Sequence, residues 1–326
     1  MNLPPQASLW VFVTAAVCAA MAVPLWRALC RRWDHVDAPG HRKIHGQPIP
    51  LAGGFAAATG WFVGGVLLWL LLRMASDEPG TVAGAWSEAL GLRHPWTIPA
   101  GALGVLLLGA WDDRRDLGAG VKFLGQVLLA GAVAAWGIRV SFPAGTAIPG
   151  FGLTVFWILA VTNAFNLSDN MNGLCAGLGC IGAAGVWAFS VLRGGSAELG
   201  CLAALVAGGL AGYLPYNFPR ASVFLGDAGS QSVGFLVAIL SLMTMSGGGN
   251  PGRSPAQVWM QAVAVVAVPC IDMAFVTVTR TLRGQPFWVG DTGHLSHRLS
   301  RTRLGKAGAV ALLWVIGALL GVLAGF

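Results

Sequence analysis

Apolar stretches of about one membrane thickness recur along the chain, and each is closed by a short polar connection. A spanning helix needs about 20 consecutive apolar residues. Candidates fall at 8–26, 51–72, 96–111, 123–138, 151–166, 173–192, 199–216, 229–246, 258–278 and 307–326. The third, fourth and fifth are the shortest, and their boundaries are the softest. This pattern predicts an all-α, polytopic integral membrane protein of about ten transmembrane helices, with residues 1–326 forming a single integral membrane domain. The first stretch does not read as a cleaved signal, because no Lys or Arg precedes Arg27 and such signals begin with positive charge. Neither an internal repeat nor a low-complexity linker interrupts the series.

Composition narrows the class further. Of 326 residues, 56% are hydrophobic and only 10% are charged, against about a quarter charged in a soluble domain. A water-soluble enzyme, a disordered chain and a disulfide scaffold are therefore excluded. The six cysteines (Cys18, Cys30, Cys175, Cys180, Cys201 and Cys270) form no CxxC pair and sit mostly in apolar runs, where they read as packing residues. A net charge of +7 points, on such a chain, to loops facing anionic lipid rather than to nucleic acid.

Charge also orients the chain. Ten spans divide the connections into two alternating sets, and 27–50, 112–122, 163–172, 217–228 and 280–306 hold fifteen of the twenty basic residues. The positive-inside rule places this set in the cytoplasm and both termini outside. Glu78, Glu88, Glu198 and Asp77 all fall in the outer set, whereas the nine remaining acids are all aspartates on the cytoplasmic side. Short carboxylates near phosphate-sized basic groups suit Mg²⁺.

Five polar clusters and one isolated carboxylate mark this face. Asp112-Asp113-Arg114-Arg115-Asp116, followed by Lys122 and Gln126, begins where the third span meets water. Neighbouring helical side chains diverge by about 100°, so Asp112 and Asp113 are expected to serve different partners. Asn163, Asn166, Asp169 and Asn170 would share an arc of about 120° if helical. Against lipid such an arc is costly, which implies a polar ligand or a protein-lined cavity. Asn172 follows in the same segment. Between the seventh and eighth spans lie Asn217, Phe224, Gly226, Asp227 and Gly229. Asp227 occupies the N-cap position of the eighth span, a position that also suits phosphate binding. Phe224 can stack a base or dip into lipid. His294, His297 and Arg298 close the last cytoplasmic loop. The two histidines lie one turn apart, but without a third ligand phosphate contact is favoured over zinc. Arg42, Lys43 and His45 form a basic patch before Pro48-Ile-Pro50. Asp272 follows Pro269 inside an apolar span, where it either serves function or stabilises a proline-opened helix.

In order, His41–Gly54 (HRKIHGQPIPLAGG), Asp112–Gln126, Asn163–Leu174, Asn217–Ser230 and Pro286–Leu299 resemble the cytoplasmic motif regions of the polyprenyl-phosphate N-acetylhexosamine-1-phosphate transferase superfamily (glycosyltransferase family 4). The RKxHxxPIPxxGG stretch and the HLSHRL ending look most similar to the undecaprenyl-phosphate GlcNAc-1-phosphate transferases. The resemblance implies transfer of a sugar-1-phosphate, most simply GlcNAc-1-phosphate, from a UDP-sugar to a polyprenyl phosphate. UMP is released and a lipid-linked envelope glycan begins. It further implies Mg²⁺, with Mn²⁺ as a substitute, and a site on the cytoplasmic face of the cell membrane; a homodimer is an additional expectation. By motif position Asp227 matches the metal ligand, and Asp169 lines the same site as a catalytic group and second ligand. Asp112, with Asp113 beside it, matches the carboxylate that prepares the lipid phosphate, while Lys122 and His294 match phosphate contacts. Asn217 and Phe224 match a uridine pocket. Asn163, Asn166, Asn172, Arg42, Lys43, His45, His297 and Arg298 complete the expected substrate-binding set. Asn170, Asn172 and Ser296 depart from the residues usual in the pattern, which are Gly, Asp and His. The rival reading, a transporter or flippase for a phosphorylated lipid or nucleotide-sugar, expects polar residues at mid-membrane depth and internal duplication. Here the polar residues gather on one face.

Overall fold

The computed structural model describes residues 3, 6–38, 47–74, 94, 96–140, 147–193, 196–246, 254–286 and 293–325. Each predicted apolar stretch forms a helix: α1 (Ala7–Arg32), α2 (Gly53–Met74), α3 (Thr97–Arg115), α4 (Ala119–Ala135), α5 (Ala147–Ser168), α6 (Leu174–Leu192), α7 (Ala197–Tyr213), α8 (Gly226–Ser246), α9 (Pro255–Leu282) and, after the short α10 (Leu295–Ser300), α11 (Gly305–Leu323). Between α1 and α2, β1 (Val36–Asp37) and β2 (Ile49–Pro50) pair antiparallel, with Val36 opposite Pro50.

Eight of the described helices are long and apolar enough to cross a membrane: α1, α2, α5, α6, α7, α8, α9 and α11. The protein is thus a multi-pass membrane protein built from helices. The other two predicted spans differ for stated reasons. α3 carries Asp112, Asp113, Arg114 and Arg115 in its last turn. α4 has 17 residues, about 25 Å of helix against a hydrocarbon core of about 30 Å. It also starts at Ala119, earlier than hydropathy suggests, because Lys122 enters its first turn.

α8 is the central helix, packed against α2, α3, α5, α6 and α9. Val233, Phe235, Val237, Ala238, Ile239 and Leu240 are all buried, as expected of a helix apolar on every side. Around it, α1, α2 and α7 meet through small residues. A Cβ added at Gly212 would come within 2.1 Å of the Ala16 carbonyl oxygen. In lipid, where apolar contact alone drives little association, such close backbone approach supplies the packing. Trp10, Leu25, Phe62, Leu107, Leu128 and Val322 point outward, an apolar exterior suited to lipid.

Two contacts position the polar end of α8. Gly109 of α3 lies so close that a Cβ there would sit 2.4 Å from the Asp227 carbonyl oxygen. The loop before α8 also zips onto the entrance of α2: Phe224 N–H donates to the Pro50 carbonyl at 2.9 Å, Gly53 N–H to Phe224 at 2.8 Å and Gly54 N–H to Leu225 at 3.0 Å.

Candidate active site

The ends of four helices converge on one ammonium group. Lys122, in the first turn of α4, places Nζ 2.6 Å from Asp112 Oδ2 on α3 and 3.2 Å from Asp227 Oδ2 on α8. It also donates to Asn166 Oδ1 on α5 at 3.0 Å. Asn166 Nδ2 in turn donates to Asp227 Oδ1 and, at 2.8 Å, to Ser230 Oγ. Asp112 and Asp227, 115 residues apart in sequence, therefore share a partner and lie on the same side of the bundle.

The divergence expected of Asp112 and Asp113 is realised. Asp112 Oδ1 accepts from the Leu117 N–H at 2.9 Å, leaving Oδ2 to Lys122. Asp113 turns the other way and accepts from the N–H groups of Asp227 and Ala228 at 2.7 and 3.0 Å. Both of its oxygens thus satisfy the open N-terminus of α8. This corrects one expectation: Asp227 lies in the first turn of α8 and is not its cap. A carboxylate from another helix provides the cap, which releases the Asp227 side chain to Lys122 and Asn166. Gly226 adopts φ +73° here, and a Cβ on it would approach the Asp113 carboxylate to 2.7 Å.

The proposed polar arc on α5 holds for only part of its length. Asn163 Nδ2 donates to Gln126 Oε1 at 2.8 Å, and Gln126 Nε2 donates to Gln231 Oε1 at 2.9 Å. α5 ends at Ser168. Beyond it Asn170 Nδ2 closes the turn on the Leu167 carbonyl at 2.8 Å, so Asp169 and Asn170 leave the helical arc. Burial, with the negative charges of Asp227 and Asp113 nearby, pushes the Asp169 carboxyl well above the usual carboxylate range. Ser230, Gln126 and Gln231 join this network without standing in the predicted site. Gln126 stood at the edge of the Asp112 cluster, and the signal for Ser230 and Gln231 was the run Ser230-Gln231-Ser232 at the start of an otherwise apolar span.

Other predicted residues have different surroundings. Asn217 is 3% exposed; its Oδ1 accepts from the Gly173 N–H at 2.5 Å and its Nδ2 donates to the Val223 carbonyl at 3.0 Å. Both amide ends thus latch two loops together. Phe224 is half-buried in the strand-like pairing with Pro50. Asn172 Nδ2 reaches the Pro219 carbonyl at 3.3 Å. Arg298 is exposed, with its guanidinium carbon 4.7 Å from the centre of the Phe275 ring. Burial holds the His297 imidazole below its ordinary value. Arg42, Lys43 and His45 lie outside the described residues. Among the described residues no three His, Cys, Asp or Glu side chains are grouped as a complete metal cage.

Known proteins match this sequence. The sequence model of glycosyl transferase family 4 matches residues 96–245, the segment that runs from α3 almost to the end of α8. A probable undecaprenyl-phosphate N-acetylglucosaminyl 1-phosphate transferase of Bacillus subtilis (strain 168) is 30% identical over 317 residues, spanning 94% of this chain and 81% of the relative. The decaprenyl-phosphate N-acetylglucosaminephosphotransferase of Mycolicibacterium smegmatis is 32% identical, spanning 94% and 79%. The undecaprenyl-phosphate alpha-N-acetylglucosaminyl 1-phosphate transferase of Escherichia coli (strain K12) is 27% identical, spanning 91% and 78%. The chain belongs to glycosyl transferase family 4.

Within this family-4 chain the donor set can be tested against a divalent ion. Asp112 and Asp227 share Lys122 as their paired cation, and Asp169 lies close enough to Asp227 for that carboxylate's charge to act on it. Mg²⁺ takes oxygen ligands and usually keeps waters and substrate phosphates beside one or two carboxylates. A complete protein cage is therefore not required, and the Asp227 carboxylate with Asp169 near it offers oxygen donors of the kind such an ion takes.

Proposed function

We propose that this family-4 protein transfers GlcNAc-1-phosphate from UDP-GlcNAc to a polyprenyl phosphate, releasing UMP and starting a lipid-linked envelope glycan. The observation that carries the reading is the shared ammonium of Lys122, which gathers Asp112, Asn166 and Asp227 from separate helices into one site. The named activities of the relatives support the same reaction.

An oxygen of the lipid phosphate attacks the sugar-bearing phosphorus; a new P–O bond forms, the diphosphate bridge breaks, and UMP leaves with the bridging oxygen. Both substrates are anions, so the reaction asks chiefly for positioning and neutralisation. Lys122 supplies a fixed positive charge, and Asp112, held by Lys122 and the Leu117 N–H, orients the acceptor phosphate. Asp227 and Asp169 would hold Mg²⁺, which when bound neutralises the diphosphate. The concentration of basic residues in the connections on this side supports a cytoplasmic site, where a lipid phosphate at the membrane surface meets a soluble nucleotide-sugar.

Purified protein given UDP-GlcNAc, undecaprenyl phosphate and Mg²⁺ should release UMP, and chelation of the metal should stop it. Asp227→Ala and Asp112→Asn should each lower turnover by about a thousandfold while leaving folded protein in detergent. Wild-type turnover in either variant would remove the site assignment. Absence of UMP with a panel of UDP-sugars would remove the reaction itself.

A further inference from the structure

Asp272 is the polar residue of α9 for which sequence left two readings open, and its partners decide between them. Its Oδ2 lies 2.7 Å from His294 Nδ1, and its Oδ1 accepts from the Leu295 N–H at 2.7 Å. Asp272 is 5% exposed and His294 3%, so this pair is removed from bulk water. α9 has 28 residues, about 42 Å of helix against about 30 Å of hydrocarbon. Asp272 lies ten residues before Leu282, the last residue of α9. Ser296, the next residue but one after His294, donates to Asn170 Oδ1 at 2.7 Å. Asn170 adjoins Asp169, so this pair borders the polar junction.

We propose that Asp272 is a positioning residue that fixes the orientation and tautomer of His294, a role that rests on the phosphotransfer reading above. An ionised carboxylate only accepts hydrogen bonds, so the hydrogen between the two groups resides on Nδ1. Nε2 is then the ring's acceptor, available to a hydrogenphosphate O–H in the adjoining site. The second bond, from Leu295 N–H, fixes the start of α10 relative to α9, so both the ring and its backbone are anchored to one carboxylate. A plain helix cap would need only the backbone contact. Pairs of this kind, in which a carboxylate orients a working imidazole, are a recurrent device for setting which ring nitrogen faces the substrate.

The test uses the full-length protein in detergent. Asp272→Asn should lower kcat by about 10–100-fold with little change in KM for the UDP-sugar, and Asp272→Glu should recover much of the loss. Asp272→Asn combined with His294→Asn should be no worse than His294→Asn alone, because the carboxylate acts through the ring. Isotope-labelled histidine NMR supplies a readout independent of turnover: the His294 signal, identified by its loss in His294→Asn, should show the Nδ1–H tautomer. In Asp272→Asn it should shift toward the Nε2–H form. Multiplying losses in the double variant, an Nε2–H tautomer in the wild type, or unchanged kcat per folded Asp272→Asn molecule would each overturn the proposal. A wild type inert toward UDP-GlcNAc would count against the reaction proposed above, and the tautomer would still decide the role of Asp272.

Discussion

The seam of α1, α2 and α7 and the junction of α3, α4, α5 and α8 are both places where helices crowd together, yet opposite chemistry holds them. At the seam, Gly60, Gly208 and Gly212 let backbones approach until a Cβ would meet a carbonyl oxygen at 2.1–2.4 Å. Among the described residues, the nearest neighbours of these glycines include no charged side chain. At the junction, charged and amide side chains span the gap, and Lys122 connects all four helices. The seam gains stability from shape; the junction concentrates buried charge, which is weak evidence for stability and stronger evidence for function. Substitutions at the two places should therefore separate folding from turnover.

The largest effect is expected at Lys122. Lys122→Met, which keeps length and removes the charge, should reduce UMP release by about a thousandfold, about 4 kcal/mol in barrier. The thermal midpoint should move by only a few degrees, checked by a melting assay on the same preparation. An equal collapse of both would erase the distinction. Next comes Gly212→Leu at the seam: overpacking against Ala16 should cost about 3 kcal/mol. Folded yield and midpoint should fall, while turnover per folded molecule stays at the wild-type level.

Asp113→Asn sharpens the comparison, because Asp113 caps α8 inside the functional junction. Replacing one of its two accepting oxygens with a donor should cost about 1–2 kcal/mol of stability. Turnover should also fall, since the start of α8 carries Asp227; a simultaneous melting and UMP-release series would show the two losses together. The smallest effect belongs to Trp157→Phe, which removes the 2.8 Å bond from Trp157 Nε1 to Ser241 Oγ between α5 and α8. Interhelical bonds of this type contribute about 0.6 kcal/mol, so the midpoint should drop slightly with UMP release unchanged.

Much of this was legible before any coordinates. The apolar stretches gave each helix, because hydropathy acts locally and a span must satisfy its own backbone wherever it lies. The pairing of opposite helix ends on one side also followed from strict alternation of direction. Position within the polar clusters was less legible. Asp112 and Asp113 carry the same side chain, and only the proximity of Lys122 to one and of the α8 N-terminus to the other assigns them different work. Asn217 stood in a polar cluster with no sign in sequence that its amide would join the Gly173 and Val223 backbones. Asp272 had no local partner at all, since His294 lies 22 residues away.

The amino-acid order alone determined the class of the molecule: a lipid-immersed helical bundle whose aspartates collect at one end. Burial of about 20 apolar residues per helix is decided within each segment and leaves little choice. Which carboxylate caps a helix, which meets an ammonium and which steers an imidazole was decided only by the tertiary structure. Those outcomes depend on distances of a few ångströms between segments far apart in the chain, and Coulomb and hydrogen-bond energies change steeply over that range.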